Sequence, residues 1–372
     1  MKKIFTLILS ASFALTASAQ DDGFYRVKNT HTGRYLSVED TNKDNYSVSV
    51  SSASVNVAGI RTKQWDYAVT SPATVIYLRK ISGNNYDIEG QATSLYQLSG
   101  NRLTVTMNAQ SDGTYIFTGT GTASGTTLTV TMHDNDEIDA DESDCFIWAD
   151  NKHSNAKNWN LIPIDTDKNY IGIEANVKTD DGYWGSIYAG FPFDLASDGM
   201  TAYYINSISG DGFTLEKISG TIPAATPVII KCNSNDPSKN MIKPLTSGGS
   251  SISNNQLQGV YCALYAAHHM NYKQYDKSHH RVLGSNNGKI AFVKATSDDL
   301  YKGSYLKANR AFLYVPAGSP DTYVEGGTGI TTIKAQEVKS EGMYSLTGAR
   351  IQESSTPKAG IYIQNGKKIV IK

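Results

Sequence analysis

Leu103-Thr104-Val105-Thr106-Met107 and Leu128-Thr129-Val130-Thr131-Met132 are the same string written twice, and its reading decides the fold class. In each copy Leu, Val and Met fall on one face and the two threonines on the other, the period-two pattern of a strand with one buried side. Between the copies runs Tyr115-Ile116-Phe117-Thr118, preceded by Ser111-Asp112-Gly113 and followed by a Gly/Thr/Ser run. The stretch predicts three successive strands that share a core face. The alternation recurs along the chain, and helical periodicity is hard to find after residue 20. Gly, Ser, Thr, Asn and Tyr are abundant while only 19% of residues are charged, which suits short strands joined by tight turns. The expected class is all-β.

The front of the chain reads differently. Lys2 and Lys3 precede an apolar run over residues 4–15, and Ala17-Ser18-Ala19 supplies small residues before Gln20. These three regions, in that order, predict a signal peptide over residues 1–19. The run is too short for a membrane span, and no later stretch approaches 18 apolar residues, so no transmembrane segment is expected. No Cys follows the run to carry a lipid. The mature protein is expected to be exported, to the extracellular or outer-membrane surface or to the periplasm. A net charge of -1 argues against nucleic acid as a partner. The 372 residues exceed a single core and imply two or three domains. Cys145, Cys232 and Cys262 are odd in number; a bridge between Cys232 and Cys262 and three buried thiols both fit.

The first domain is expected over residues 20–166. It opens on Gly23-Phe24-Tyr25-Arg26-Val27-Lys28-Asn29, a strand, followed by Thr32-Gly33-Arg34-Tyr35-Leu36-Ser37-Val38 after a turn. Lys63-Gln64-Trp65 and Lys157-Asn158-Trp159 stand where a repeat would close. Here the chain resembles the ricin-type β-trefoil lectins, which implies a trefoil-like fold and sugar binding through an Asp and an aromatic in each repeat. A different barrel or a sandwich is the alternative. None of the lectin positions transfers residue by residue.

A second domain is expected over residues 167–325. It carries Phe191-Pro192-Phe193-Asp194-Leu195, Ala202-Tyr203-Tyr204-Ile205 and Phe213-Thr214-Leu215-Glu216 around the turn Gly210-Asp211-Gly212. Ile222-Pro223-Ala224-Ala225-Thr226-Pro227-Val228-Ile229-Ile230-Lys231 follows, and its two prolines place it at a sheet edge or in a crossing between sheets. With Ile290-Ala291-Phe292 and Arg310-Ala311-Phe312-Leu313-Tyr314-Val315-Pro316, this region resembles a β-sandwich module common in exported proteins of Bacteroidetes. Beyond Gly326-Gly327-Thr328-Gly329, residues 326–372 form a tail. There Gly360-Ile361-Tyr362-Ile363 and Lys367-Lys368-Ile369-Val370-Ile371 flank Asn365-Gly366, a strong hairpin signal. The tail resembles a short C-terminal sorting domain of the type IX secretion pathway.

Candidate chemistry is sparse. His268, His269, His279 and His280 are weak candidates for a metal, because neighbours on a strand point to opposite faces and no third ligand has a recognisable spacing. Cys262 near those histidines lacks any nucleophile signature. The acidic run of Asp134, Asp136, Asp139, Asp141 and Asp144 has no glycine at the sixth position of a calcium loop and reads as a solvated loop. There is no nucleophile elbow, phosphate loop or His-Glu-x-x-His, so no catalytic residue is assigned. Sugar binding in an all-β protein uses aromatic faces, and the candidates are Tyr35, Trp65, Tyr67, Tyr183 and Trp184, with Trp148 as a further ring and Trp159 expected in the core. Tyr183 and Trp184 follow Asp180-Asp181-Gly182, a turn signal that would let both project from a loop. The expected function is carbohydrate binding, to a glycan or surface polymer, without catalysis or cofactor. The alternative is a structural or adhesin-type surface protein with no sugar specificity.

Overall fold

The computed structural model describes residues 20–38, 49–51, 54–63, 68–90, 93–94, 97–98, 101–102, 104–123, 126–134, 146–150, 154–165, 167–260, 273–326, 343–345, 350–351, 359–364 and 367–371. The leader region 1–19, Trp65, Tyr67, Cys145, Cys262, His268, His269 and the turn Asn365-Gly366 lie outside the described residues. The protein is all-β, as the alternation predicts. Among the described residues no helix is long and apolar enough to cross a membrane.

The N-terminal part is a closed six-stranded barrel. Its strands are β1 (Gly23–Asn29), β2 (Ile76–Ser82), β3 (Asn85–Gly90), β4 (Thr104–Ala109), β5 (Tyr115–Ala123) and β6 (Asn158–Pro163). Each pairs antiparallel with the next, and β6 returns to β1 with Trp159 opposite Asn29, closing the ring. Closure removes both sheet edges. The alternation sends Tyr25, Val27, Ile76, Leu78, Tyr86, Ile88, Val105, Met107 and Phe117 inward, where Trp159 completes the core. Trp159 is fully buried and its indole donates to the Met132 carbonyl at 3.2 Å. The chain leaves the barrel three times, after β1, β3 and β5, and each excursion carries further strands before re-entry: Tyr35–Val38 with Ser54–Lys63, Gln97–Leu98 with Asn101–Arg102, and Thr126–Thr131 followed by Phe146–Asp150.

Two of these excursions are tied by a buried carboxylate. Asp134 is fully buried, receives Arg34 Nε at 3.1 Å and Thr62 Oγ1 at 2.9 Å, and is also bonded by Thr32. The expected solvated loop therefore begins with an ion-paired core residue, while residues 135–145 fall outside the described set. A carboxylate taken out of water needs such partners.

The second part is built on one ten-stranded sheet: β7 (Val177–Thr179), β8 (Gly182–Ile187), β9 (Thr201–Ser209), β10 (Gly212–Lys217), β11 (Val228–Cys232), β12 (Leu257–Val260), β13 (His280–Asn286), β14 (Lys289–Val293), β15 (Arg310–Tyr314) and β16 (Thr322–Glu325). Their order is β7-β8-β11-β9-β10-β16-β14-β13-β15-β12, with β10 and β16 parallel. The sheet curls until β8 faces β15, where Ser186 Oγ accepts from Ala311 N at 3.3 Å. Trp184, Ile205, Phe213, Ile229, Phe292 and Leu313 fill the space between its halves, so one curled sheet supplies the two faces expected of a sandwich. The β13–β14 hairpin turns through Asn287 and Gly288 at φ 49° and 74°, the left-handed pair that a two-residue connection requires. A three-stranded sheet of Ile171–Gly172, Met241–Pro244 and Phe193–Leu195 packs outside. The proline stretch crosses between sheets as expected: Ile222 bridges Phe193, and Val228 onward joins β11.

The barrel and the curled sheet pack into one compact unit ending at Gly329, and Ile330–Lys372 forms a separate one. The junction is apolar, with Val75 and Phe24 of the barrel packed into the cluster that holds Phe191 and Phe193. The terminal unit is a four-stranded antiparallel sheet ordered Arg350–Ile351, Met343–Ser345, Gly360–Gln364, Lys367–Ile371.

Candidate functional site

On β2 the pleat that sends Ile76 and Leu78 inward sends Tyr77 and Arg79 outward. Register places Glu89 of β3 directly opposite Tyr77, one diagonal step from Arg79. The guanidinium meets that carboxylate as a fork, Nε to Oε1 at 3.0 Å and Nη2 to Oε2 at 3.1 Å. The same guanidinium lies 5.3 Å from the Tyr77 ring centroid. The hydrogen bond and charge of Glu89 raise the Arg79 pKa above its ordinary value. On the neighbouring strand Phe24 stands opposite Tyr77, ring centroids 4.9 Å apart and edge-on at 61°. Phe191 of the second part approaches Phe24 at 6.0 Å.

These groups line a cavity of about 240 Å³ between the barrel and the curled-sheet part. Gly190, Pro192, Leu245 and Thr246 form its second wall. Phe24, Tyr77 and Glu89 are half-buried and Arg79 is exposed, so the aromatic floor and the charged fork both remain reachable. Chemically this pairs rings that pack against C–H surfaces with planar groups that donate to and accept from hydroxyls. A smaller cavity of about 130 Å³ lies beside β8 and β15. Two of its charges satisfy each other: Arg310 pairs with Glu174 and donates to the Ser186 carbonyl at 3.1 Å, and Asn176 donates to Glu174 at 2.6 Å. Arg310 holds the Glu174 carboxyl below the usual carboxylate range.

The sequence candidates fall elsewhere. Tyr35 is only 7% exposed, with Lys28 Nζ 5.3 Å from its ring centroid. Tyr183 is half-buried under Lys178 Nζ at 4.0 Å. Trp184 is 2% exposed, and its indole N–H donates to Thr179 Oγ1 at 3.0 Å. The turn at Gly182 is real, but both residues already belong to β8, whose pleat drives Trp184 into the core rather than out from a loop. The Trp148 side chain and all of Trp65 and Tyr67 lie outside the described residues. The groups that do converge are Phe24, Tyr77, Arg79, Glu89 and Phe191, none of which the sequence alone marks as a site. Their signal was the outward phase of β2, legible only once β2 and β3 are in register.

His279 and His280 serve different ends. His279 Nδ1 lies 2.8 Å from the Val315 carbonyl and its ring stacks on Tyr314 at 5.2 Å and 7°. His280 is buried, accepts from Asp276 N at 3.0 Å and packs edge-on to Phe312. Among the described residues no three His, Cys, Asp or Glu side chains group to hold a metal. Cys232 is a buried free thiol whose pKa desolvation pushes up to about 12. Burial, with help from Lys273, brings the His280 pKa down to about 4. As pH falls the unfolded chain takes up this proton first, near 6.5, and the folded chain only near 4. Its contribution is therefore whole above pH 6.5 and is lost progressively down to about pH 4, on the order of 3 kcal/mol. Urea titrations at pH 7, 5.5 and 4.5 should show this loss, and His280→Gln should flatten it. The Asp181 contribution falls in a lower window, since hydrogen bonds from Lys231 and Thr179 hold that carboxyl at about 2.

In comparisons with known proteins, no family model, no curated protein and no solved structure matches this chain.

Proposed function

We propose that this is an exported or cell-surface carbohydrate-binding protein without catalytic activity, and that its sugar site is the cleft between the barrel and the curled sheet. The observation that carries the reading is the Tyr77 ring, flanked by Phe24, beside an ion-paired Arg79–Glu89 fork in an open cavity. An aromatic surface alone would suit any apolar ligand, and an exposed ion pair alone would bind nothing. Together they match a pyranose, whose ring C–H groups are apolar and whose rim is hydroxyl. The trefoil reading of the barrel draws support from its closure, with strands β1 to β6 interrupted by three excursions. Export draws its support from the order of charged, apolar and small residues over 1–19.

A glycan array probed with residues 20–372 tests the reading. Specific hits are expected, and Tyr77→Ala should weaken them by roughly tenfold or more, about 1.4 kcal/mol. Tyr77 is outward-facing, so circular dichroism of the variant should match the parent. An array without specific hits would reject sugar binding in favour of a structural surface protein. Hits that survive Tyr77→Ala unchanged would move the site elsewhere.

A further inference from the structure

We infer that the cleft selects a single uncharged pyranose ring, a neutral hexose residue, and rejects the corresponding uronic acid. This rests on the proposed sugar site and adds the chemical class of the sugar. Among the described residues, Arg79 and Glu89 are the only charged ones lining the cavity, and their formal charges cancel. A lone arginine would be a carboxylate receptor, because its fork matches a carboxylate bidentately. Here that fork is already occupied: Nε and Nη2 both point at Glu89.

An incoming sugar carboxylate would have to displace Glu89, or sit beside it as a like charge. Glu89 keeps only 25% of its side-chain exposure, so water screens that repulsion incompletely. Asp22, which accepts from Lys80 N at 2.7 Å, also acts on Arg79 and adds negative charge on the same flank. Discrimination of this kind works by repelling the wrong ligand as well as by attracting the right one.

A neutral ring meets no such barrier. Arg79 keeps Nη1 as a donor, the Glu89 oxygens keep lone pairs beyond those facing Arg79, and the Thr246 hydroxyl stands on the opposite wall. Sugar hydroxyls both donate and accept, so they join the ion pair without breaking it. The cavity, about 240 Å³, lies below the roughly 300–1,000 Å³ of pockets for drug-sized ligands, which favours one ring over an extended chain segment.

The test compares matched sugars that differ only at C6. Methyl glucoside, galactoside and mannoside are titrated against the protein over residues 20–372 by calorimetry and ligand-observed NMR, each alongside its counterpart, methyl glucuronide, galacturonide or mannuronide. At least one neutral glycoside should bind roughly tenfold more tightly than its uronic counterpart. Glu89→Gln should release the guanidinium and raise uronate affinity by a similar factor. Because the Arg79 side of the pair is exposed, the pair adds little to folding, and the variant should melt with the parent. A uronate binding the parent as tightly as its neutral match, or Glu89→Gln leaving uronate binding unchanged, would overturn the selectivity and leave the sugar site standing. Absence of binding by every one of these sugars would overturn both.

Discussion

Arg26→Met is expected to lower the stability of the large unit by roughly 3–5 kcal/mol, one of the two largest effects predicted for any single substitution here. Arg26 sits on β1 between Tyr25 and Val27, which point into the barrel, so its own side chain points out. It is nevertheless fully buried, because the second part of the chain covers that face. Its guanidinium donates to Asn169 Oδ1 at 2.8 Å, the Tyr170 carbonyl at 2.7 Å, the Ala68 carbonyl at 3.2 Å and Thr74 Oγ1 at 3.2 Å. Two of these acceptors belong to the barrel part and two to the segment that enters the second part. Burial pulls the Arg26 pKa down to about 10, which still leaves it cationic at neutral pH. Methionine fills much of the stem volume but donates nothing, and each buried acceptor left without a donor costs ~1–3 kcal/mol. Some of these acceptors retain other donors: the Ala68 carbonyl still receives Thr74 Oγ1 at 2.9 Å. The sum therefore falls short of four full penalties. Guanidinium chloride unfolding of parent and variant gives the difference. A loss under about 1 kcal/mol would mean that water replaces the guanidinium and that the junction is held by its apolar contacts alone.

That junction also marks where sequence patterning stops being informative. Val105 and Met107 announce a strand with one buried face, and they do face the barrel core. The closure of the barrel is not announced, because Asn29 meets Trp159 across most of the domain and nothing local specifies which strands pair. Arg26 carries the same handicap. A polar residue at the outward phase of a strand reads as solvated, and only the arrival of Asn169 and Tyr170 makes it a core residue. Asp134 looks like the start of an acidic loop for the same reason, its partner Arg34 lying 100 residues upstream. The site followed suit: Tyr77 and Arg79 share a phase that the sequence displays, whereas Glu89 and Phe191 join them only through register and tertiary packing. Residue type and turn proximity, the two signals that mark Tyr183 and Trp184 in the sequence, say nothing of phase. Tyr183 and Trp184 are adjacent on one strand, so at most one of them could have faced the solvent on a given side.

Trp184 supplies the second large effect, and its outcome separates a core ring from a ligand platform. Trp184→Ala should cost roughly 3–5 kcal/mol, the range for emptying an aromatic site in a packed interior. The ring lies between the halves of the curled sheet, 5.6 Å from Tyr203, with Ile205, Phe292 and Leu313 in the same cluster. Its N–H is shared between Thr179 Oγ1 and Asp181 Oδ1, and Asp181 in turn receives Lys231 Nζ at 2.6 Å. Trp184→Phe keeps an aromatic ring but removes that donor, so it should cost less, about 1–2 kcal/mol. Glycan affinity measured on the folded fraction should stay unchanged in both variants, because the ring does not line the cavity that holds Tyr77. A platform residue would behave the opposite way, with little change in unfolding free energy and a marked loss of binding in Trp184→Ala. The two readings thus exchange which measurement changes: a stable Trp184→Ala that no longer binds sugar would return the site to β8 and remove Trp184 from the core.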